Sequence, residues 1–281
     1  MQFSSFTFWP LIVLLGLCLG SFLNVVITRL PVMLMRQWRQ EARAQLALEE
    51  ETPPRFNLAQ PRSMCPRCET PLRWHDNLPL IGWLKRHGRC AHCNGRISVQ
   101  YPLIELAGGV LAISVALLYG PDWQALWVYA ACLTLLALAA IDWRLQLLPD
   151  ILTLPLLWAG LLYHWLFQPA FLGDAVIGAV LGYMSLWSVY WLFKLATGKE
   201  GMGFGDFKLL AALGAWLGWL ALPLVLLFSA GLAAILGLAY QASTPQARGT
   251  PMPFGPFLAL AGWIMLLAGD EALAVYLSIA S

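Results

Sequence analysis

Two aspartates and four cysteines are the residues of this chain whose types and spacing could do chemistry. Asp142 directly follows the apolar run Leu133–Ile141. Asp206 stands in Gly201-Met-Gly-Phe-Gly-Asp-Phe-Lys208, where another apolar stretch begins. Two carboxylates brought together on facing helix ends, partly withdrawn from water, cannot both ionise easily and so share a proton. One can then activate a water while the other protonates a leaving group, which is acid–base hydrolysis of the aspartyl protease kind, with no metal and no covalent intermediate. Gly203 and Gly205 remove side chains from the backbone beside Asp206, so an extended peptide could lie against it.

Blander roles compete for these acids. An Asp at a helix start is often an N-cap, which accounts for Asp206 in part and is the favoured role for Asp150 in Leu148-Pro-Asp150. Asp122, Asp174, Asp270 and Glu271 read as solvated loop or helix-end residues. Glu105 lies a few residues inside an apolar run. An intramembrane acid is functional by default, yet at that depth it could simply reach the aqueous side.

Cys65-Pro-Arg-Cys68 and Cys90-Ala-His-Cys93 are two C-x-x-C knuckles with 21 residues between them, one more than the usual tetrathiolate zinc spacing. Two short turns, each presenting a pair of thiolates, can close a tetrahedral Zn²⁺ site with no position left for water, so the metal would be structural. Disulfides or a redox motif are the alternative, disfavoured because the loop is assigned to the reducing cytoplasm and no thioredoxin-like strand–helix pattern surrounds either pair. His75, His87 and His92 read as surface residues. Cys18 and Cys132 read as small apolar packing residues.

The elements that must position these groups are membrane spans. Of the 281 residues, 59% are hydrophobic and only 11% charged, with a mean hydropathy of +0.67; a soluble domain carries roughly 25% charged residues. The expected architecture is all-α and polytopic, with eight spans near 8–29, 102–119, 125–141, 151–167, 173–194, 207–220, 222–240 and 255–277. No basic residue precedes the first run, which argues for a retained span over a cleaved signal peptide. The expected divisions are a first helix, 1–29, a cytoplasmic metal-binding loop, 30–101, and a helical core, 102–281. Met35–Glu51 should continue as an amphipathic or surface helix. Small-xxx-small pairs at Gly16/Gly20, Gly178/Gly182 and Gly214/Gly218 would let helix backbones approach closely. With eight spans, all 17 Lys and Arg fall in or beside the connections 30–101, 142–150, 195–206 and 241–254. The positive-inside rule then puts those connections in the cytoplasm and both termini outside, with Asp142 and Asp206 at the cytoplasmic boundary.

Several segments together resemble the type IV prepilin peptidase family. Gly20-Ser-Phe-Leu-Asn-Val-Val-Ile-Thr-Arg-Leu-Pro31 is similar to its first-span signature. Arg62-Ser-Met-Cys-Pro-Arg-Cys68, Pro71-Leu-Arg-Trp-His-Asp-Asn-Leu-Pro79, Gly88-Arg-Cys90, Ile97-Ser98 and Tyr101-Pro-Leu-Ile-Glu105 are similar to its zinc loop. Ile141-Asp142, with Leu148-Pro-Asp150, and Gly203-Phe-Gly-Asp-Phe-Lys-Leu-Leu210 look like its two catalytic segments. The resemblance runs from about residue 16 to 220. Gly82 departs from it, standing where many members carry serine, and 33–60 matches nothing in it.

The resemblance implies a peptidase of a bacterial inner membrane, with Asp142 and Asp206 as its catalytic pair. Its substrates would be type IV prepilins and type II secretion pseudopilins, cut on the cytoplasmic side after a glycine. It further implies N-methylation of the new terminal amine with S-adenosylmethionine. No Gly-x-Gly-x-x-Gly lies between a strand and a helix, so no methyl-donor site can be located from the sequence. A presenilin-type intramembrane peptidase would need its first Asp inside a span. A transporter or scaffold using the aspartates as proton or ion sites would need them near the midplane on broken helices.

Overall fold

The computed structural model describes residues 5–48, 55–243 and 252–280, with the backbone alone for 5–8, 241 and 270–280. The end of the expected surface helix, 49–51, and Arg248 lie outside the described residues. Among those described there is no strand, only isolated bridges pairing Met64 with Pro71 and Arg89 with Arg96. The chain divides into two compact units, Met1–Leu117 and Leu118–Ser281.

The first unit begins with α1 (Ser5–Gln45), one helix of 41 residues, which at 1.5 Å per residue is roughly 60 Å long. That is about twice the hydrocarbon thickness of a bilayer. The first expected span and the expected surface helix are therefore a single element, apolar at its start and polar at its end. The chain that follows folds back along it. Arg29 Nη1 donates to the carbonyls of Asn57 and Leu58 at 3.1 and 3.3 Å, and the Arg36 guanidinium lies 4.5 Å from the Phe56 ring centroid. A short helix α2 (Ile81–Lys85) leads to α3 (Gln100–Tyr119). α1 and α3 meet along small residues: a side chain on Gly16 would come within 2.9 Å of the Gly108 carbonyl, and one on Gly20 within 2.8 Å of the Glu105 backbone. Glu105 is buried, and its Oε2 accepts from Leu80 N at 2.8 Å. It does not reach out to water; it pins the loop to α3.

The second unit contains α4 (Trp123–Leu145), α5 (Asp150–Phe167), α6 (Leu172–Thr197), α7 (Phe204–Leu217), α8 (Leu222–Ser243) and α9 (Gly255–Ala280). The most enclosed is α7, which packs on α5, α6 and α9. Phe207, Leu209, Leu210 and Ala212 on it have no exposed surface. α6 and α7 approach through the expected glycines. A side chain on Gly178 would collide with the Gly214 carbonyl, and one on Gly182 would come within 2.6 Å of the Leu210 carbonyl. Gly218, at φ +75°, ends α7, and a single 3₁₀ turn (Trp219–Ala221) separates it from α8. By contrast Leu192, Leu195, Leu227 and Leu238 point outward on α6 and α8, as lipid-facing positions do.

Each expected span falls on a helix. Six of these, among the described residues, are long and apolar enough to cross a membrane: Trp9–Gln45, Gln100–Tyr119, Trp123–Leu145, Asp150–Phe167, Pro169–Thr197 and Trp219–Tyr240. Gly255–Gly269 is a shorter apolar helix. α7, with 14 residues, is roughly 21 Å long.

The glycine seam predicts that Gly178→Val destabilises the second unit by about 1–3 kcal/mol through overpacking. Thermal unfolding of the detergent-solubilised protein checks this. An unchanged midpoint would mean that α6 and α7 do not meet there.

Candidate functional site

Asp142 occupies the last turn of α4, whose end is set by Gln146 in the left-handed conformation, its N–H donating to the Asp142 carbonyl at 2.8 Å. Asp206 lies in the first turn of α7. Gly203 is the capping residue there, without a side-chain cap, so Asp206 is not the N-cap that one reading of the sequence allowed. Both carboxylates are buried, with 5% and 8% of their surface exposed, and both belong to the second unit. They lie close enough for the charge of Asp142 to act on Asp206.

What fixes Asp142 is a backbone amide. Gly255 N donates to Asp142 Oδ2 at 3.0 Å from the first turn of α9. A Cβ on Gly255 would sit 2.6 Å from that oxygen and 3.2 Å from Leu148 Cδ1. Leu148 also fills the space beside Asp206, since a Cβ on Gly205 would come 2.8 Å from Leu148 Cβ. Buried Leu148 thus packs against the glycine beside each acid. Two glycines and one leucine leave the carboxylates bordered by bare backbone, the setting in which an extended peptide can reach them.

Asp150 takes a different role from the cap expected of it. Pro149 is the capping residue of α5, and both Asp150 oxygens accept from Lys208 Nζ at 2.7 Å. Lys208 is two residues beyond Asp206, so this ion pair ties the start of α5 to the start of α7. Sequence reading missed Gly255 as part of the site, and it quoted Leu148 and Lys208 only as members of the two catalytic segments, with no role of their own. The available signal was Pro253-Phe-Gly-Pro256, turn-forming chemistry set directly against an apolar run.

The first unit holds a second constellation. The Sγ atoms of Cys65, Cys68, Cys90 and Cys93 lie within 4.8 Å of one another. Cys65 and Cys93 are 3.8 Å apart, Cys68 and Cys90 3.9 Å. Thiolates at about 2.3 Å from a tetrahedral metal stand roughly 3.8 Å apart, whereas a disulfide would need about 2.05 Å. The four residues fit a metal ion. The two knuckles are built alike. In each, the residue four after the first cysteine, Glu69 or Asn94, has positive φ and bonds back to that cysteine's carbonyl. In each a backbone N–H also approaches the first sulfur, Arg67 N to Cys65 Sγ at 3.5 Å and His92 N to Cys90 Sγ at 3.4 Å. Hydrogen bonding with Thr70 holds the Cys68 thiol down at about 6, while burial and the neighbouring sulfurs push Cys93 up to about 11. Nearby, Asp76 and Arg86 form a two-pronged pair at 2.8 and 3.1 Å that holds the Asp76 carboxyl below its usual range. A side chain on Gly82 would strike the Asp76 carbonyl, which suits glycine to this position.

Residues 129–238 match a family model described as the type IV leader peptidase family, and residues 14–119 match the bacterial peptidase A24 N-terminal domain. A curated protein of Aeromonas salmonicida, a prepilin leader peptidase/N-methyltransferase, is 52% identical over 96% of this chain and 94% of its own length. Proteins of the same name from Stutzerimonas stutzeri and Pseudomonas aeruginosa are 53% and 52% identical over 95% of this chain, and over 92% and 93% of their own lengths. No solved structure matches the chain. The relatives are enzymes, and the reading of Asp142 and Asp206 as a transporter's ion sites finds no support among them.

The sulfur geometry predicts one tightly held divalent metal per purified chain, lost in a Cys65→Ser or Cys90→Ser variant. Because protons compete for the thiolates, the metal should be released as the pH is lowered. Atomic absorption on dialysed protein measures both. Full metal content in either variant would contradict the assignment.

Proposed function

The chain belongs to the type IV leader peptidase family, and we propose that it cleaves the leaders of type IV prepilins, and of type II secretion pseudopilins, as a membrane aspartyl endopeptidase. The observation that carries this reading is the buried pair Asp142 and Asp206, bordered by the backbones of Gly205 and Gly255. We place the reaction at the cytoplasmic face of a bacterial inner membrane, with eight spans and both termini periplasmic, on the one-sided distribution of Lys and Arg. In this arrangement residues 1–29 are the first span, 30–101 a cytoplasmic metal-binding loop, and 102–281 the peptidase core.

The apolar helix of the substrate stays in the lipid and its basic leader in the cytoplasm. Peptide bonds in a helix are shielded by their own hydrogen bonds, so the scissile segment is extended at the site, which a glycine in the substrate makes easy. One carboxylate of the pair takes a proton from water as its oxygen bonds to the scissile carbonyl carbon. The other gives its proton to the departing amide nitrogen as the C–N bond breaks. Gly255 N–H holds Asp142 Oδ2 in place throughout.

The four cysteines are assigned to a structural Zn²⁺, since four thiolates leave no coordination position for water. The second activity, N-methylation of the terminal amine exposed by cleavage, is part of the same proposal. S-Adenosylmethionine would supply the electrophilic methyl group for that amine.

Cleavage of a prepilin leader peptide by purified protein tests the peptidase reading. Asp142→Asn and Asp206→Asn should each lower the rate by at least about a thousandfold while the protein stays folded and keeps its metal. Wild-type turnover by either variant would refute the mechanism. Gly255→Ala should lose activity, because the added methyl displaces Asp142 and fills the bare backbone beside it. A wild-type rate would mean that the amide contact does not matter.

A further inference from the structure

We infer that one face of the cysteine loop, built from Trp74, Leu78, Ile81 and Leu84, is a membrane-surface anchor that sinks into the lipid where α3 begins, with anionic headgroups around it. The inference goes beyond the peptidase reading and rests only on α3 crossing the bilayer, for which its length and apolar composition suffice.

Depth is the observation that carries it. α3 has 20 residues and is roughly 30 Å long, the full thickness of the hydrocarbon layer. Such a helix has no turn to spare, so its first turns lie within the bilayer. Glu105 stands one and a half turns inside α3, roughly 8 Å from its start. Its Oε2 accepts from Leu80 N at 2.8 Å, and Leu80 is the residue directly before α2. The start of α2 is thereby held at the boundary between headgroups and acyl chains, the depth at which interfacial helices lie. Arg29, where the apolar stretch of α1 ends, ties down the earlier part of the loop through the Asn57 and Leu58 carbonyls.

What α2 presents to its surroundings fits that depth. Its inner face is Gly82, against the Asp76 carbonyl, and Trp83, whose Nε1 donates to the Ile97 carbonyl at 3.4 Å. Ile81 and Leu84, three residues apart and so on one side of the helix, are each 61% exposed. Trp74, at 76%, and Leu78 are exposed in the turn that leads into α2. Single apolar side chains at a surface need no explanation, but four large ones within 74–84 mark a contact surface. Arg73 and Lys85, both exposed, bound the stretch at its two ends. Apolar and tryptophan side chains rimmed by cations are the composition of a surface anchor on anionic lipid. The lipid-facing side of α3 also runs on toward the loop: Val110, Leu106, Leu103 and Val99 share one side at helical spacing, all are exposed, and Val99 lies just before the helix. A protein partner suits the patch less well. Four side chains are few beside the roughly 20–30 residues a side of a stable interface, and lysine is depleted in such interfaces. The anchor lies between the two cysteine knuckles in sequence, so it would keep the metal-holding turns at the membrane surface.

Spin labels on the full, metal-loaded chain in vesicles of phosphatidylethanolamine and phosphatidylglycerol test this. Cys18 and Cys132 are replaced by alanine, and the metal shields the other four cysteines. A label on Leu84→Cys should collide severalfold more with oxygen, which concentrates in lipid, than with an aqueous nickel chelate. A label on Ala44→Cys, in the polar end of α1, should show the reverse. Nickel collisions prevailing at 84 would overturn the anchor. A label there that is immobilised and shielded from both would overturn it as well, in favour of a protein partner. Photolabelling of the wild type needs no variant. Phosphatidylglycerol carrying a diazirine beside its headgroup should mark 74–84, severalfold more than the phosphatidylcholine analogue does. No label in that stretch would refute the docking, and equal labelling by the two lipids would refute the preference for anionic headgroups.

Discussion

A carboxylate enclosed in an apolar helix bundle has to be held by something, because in that setting water cannot do it. For Asp142 the holder is the Gly255 amide, and the fit is so close that a methyl group on Gly255 would overlap the carboxylate oxygen. Much of the second unit can be understood from that contact. It requires the start of α9 to meet the end of α4. It makes Leu148 pack on Gly255 and also on Gly205, which brings the start of α7, and Asp206, to the same place. Lys208 and Asp150 then close the remaining side by joining α7 to α5. A helix end is a good location for such a site: α9 has N–H groups there with no partner in its own helix, and one of them is used.

The bilayer explains why glycine is the other recurring element. Between helices in lipid no hydrophobic force favours contact, so association depends on close packing of backbones. Gly178 and Gly182 against Gly214 and Leu210, and Gly16 and Gly20 against Gly108 and Glu105, are such contacts. The first seam helps to enclose α7 and thereby keeps Asp206 from bulk water. The second buries Glu105, on the helix facing Gly20, where it accepts from the Leu80 amide.

Much of this was legible in the sequence, for identifiable reasons. Helix positions followed from the length of apolar runs, because the membrane sets that length. The cysteine cluster followed from spacing, because two C-x-x-C turns have few ways to bring four sulfurs together. Asp142 and Asp206 stood out because acids at the edges of apolar runs are rare. The unread parts depend on tertiary contact. Nothing local to Asp142 reveals that a glycine 113 residues away donates to it. Asp150 looked like a cap because Asp often is one, and only the fold brings Lys208 to it. Glu105 could have reached water; the positive φ of Leu80, +58°, turns an N–H to it instead. The extra length of α1 was half legible, since its helix-forming polar tail was visible but its continuity with the first span was not.

The central claim is that Asp142 and Asp206 act as one unit sharing a proton between them. The most direct test is a double-mutant cycle on leader cleavage, comparing the Asp142→Asn/Asp206→Asn protein with the two single variants at matched folding and metal content. If the pair is a unit, removing the second carboxylate costs almost nothing once the first is gone, and all three variants show the same residual rate. If the losses instead multiply, the two aspartates act independently, and the shared-proton account of this site is wrong.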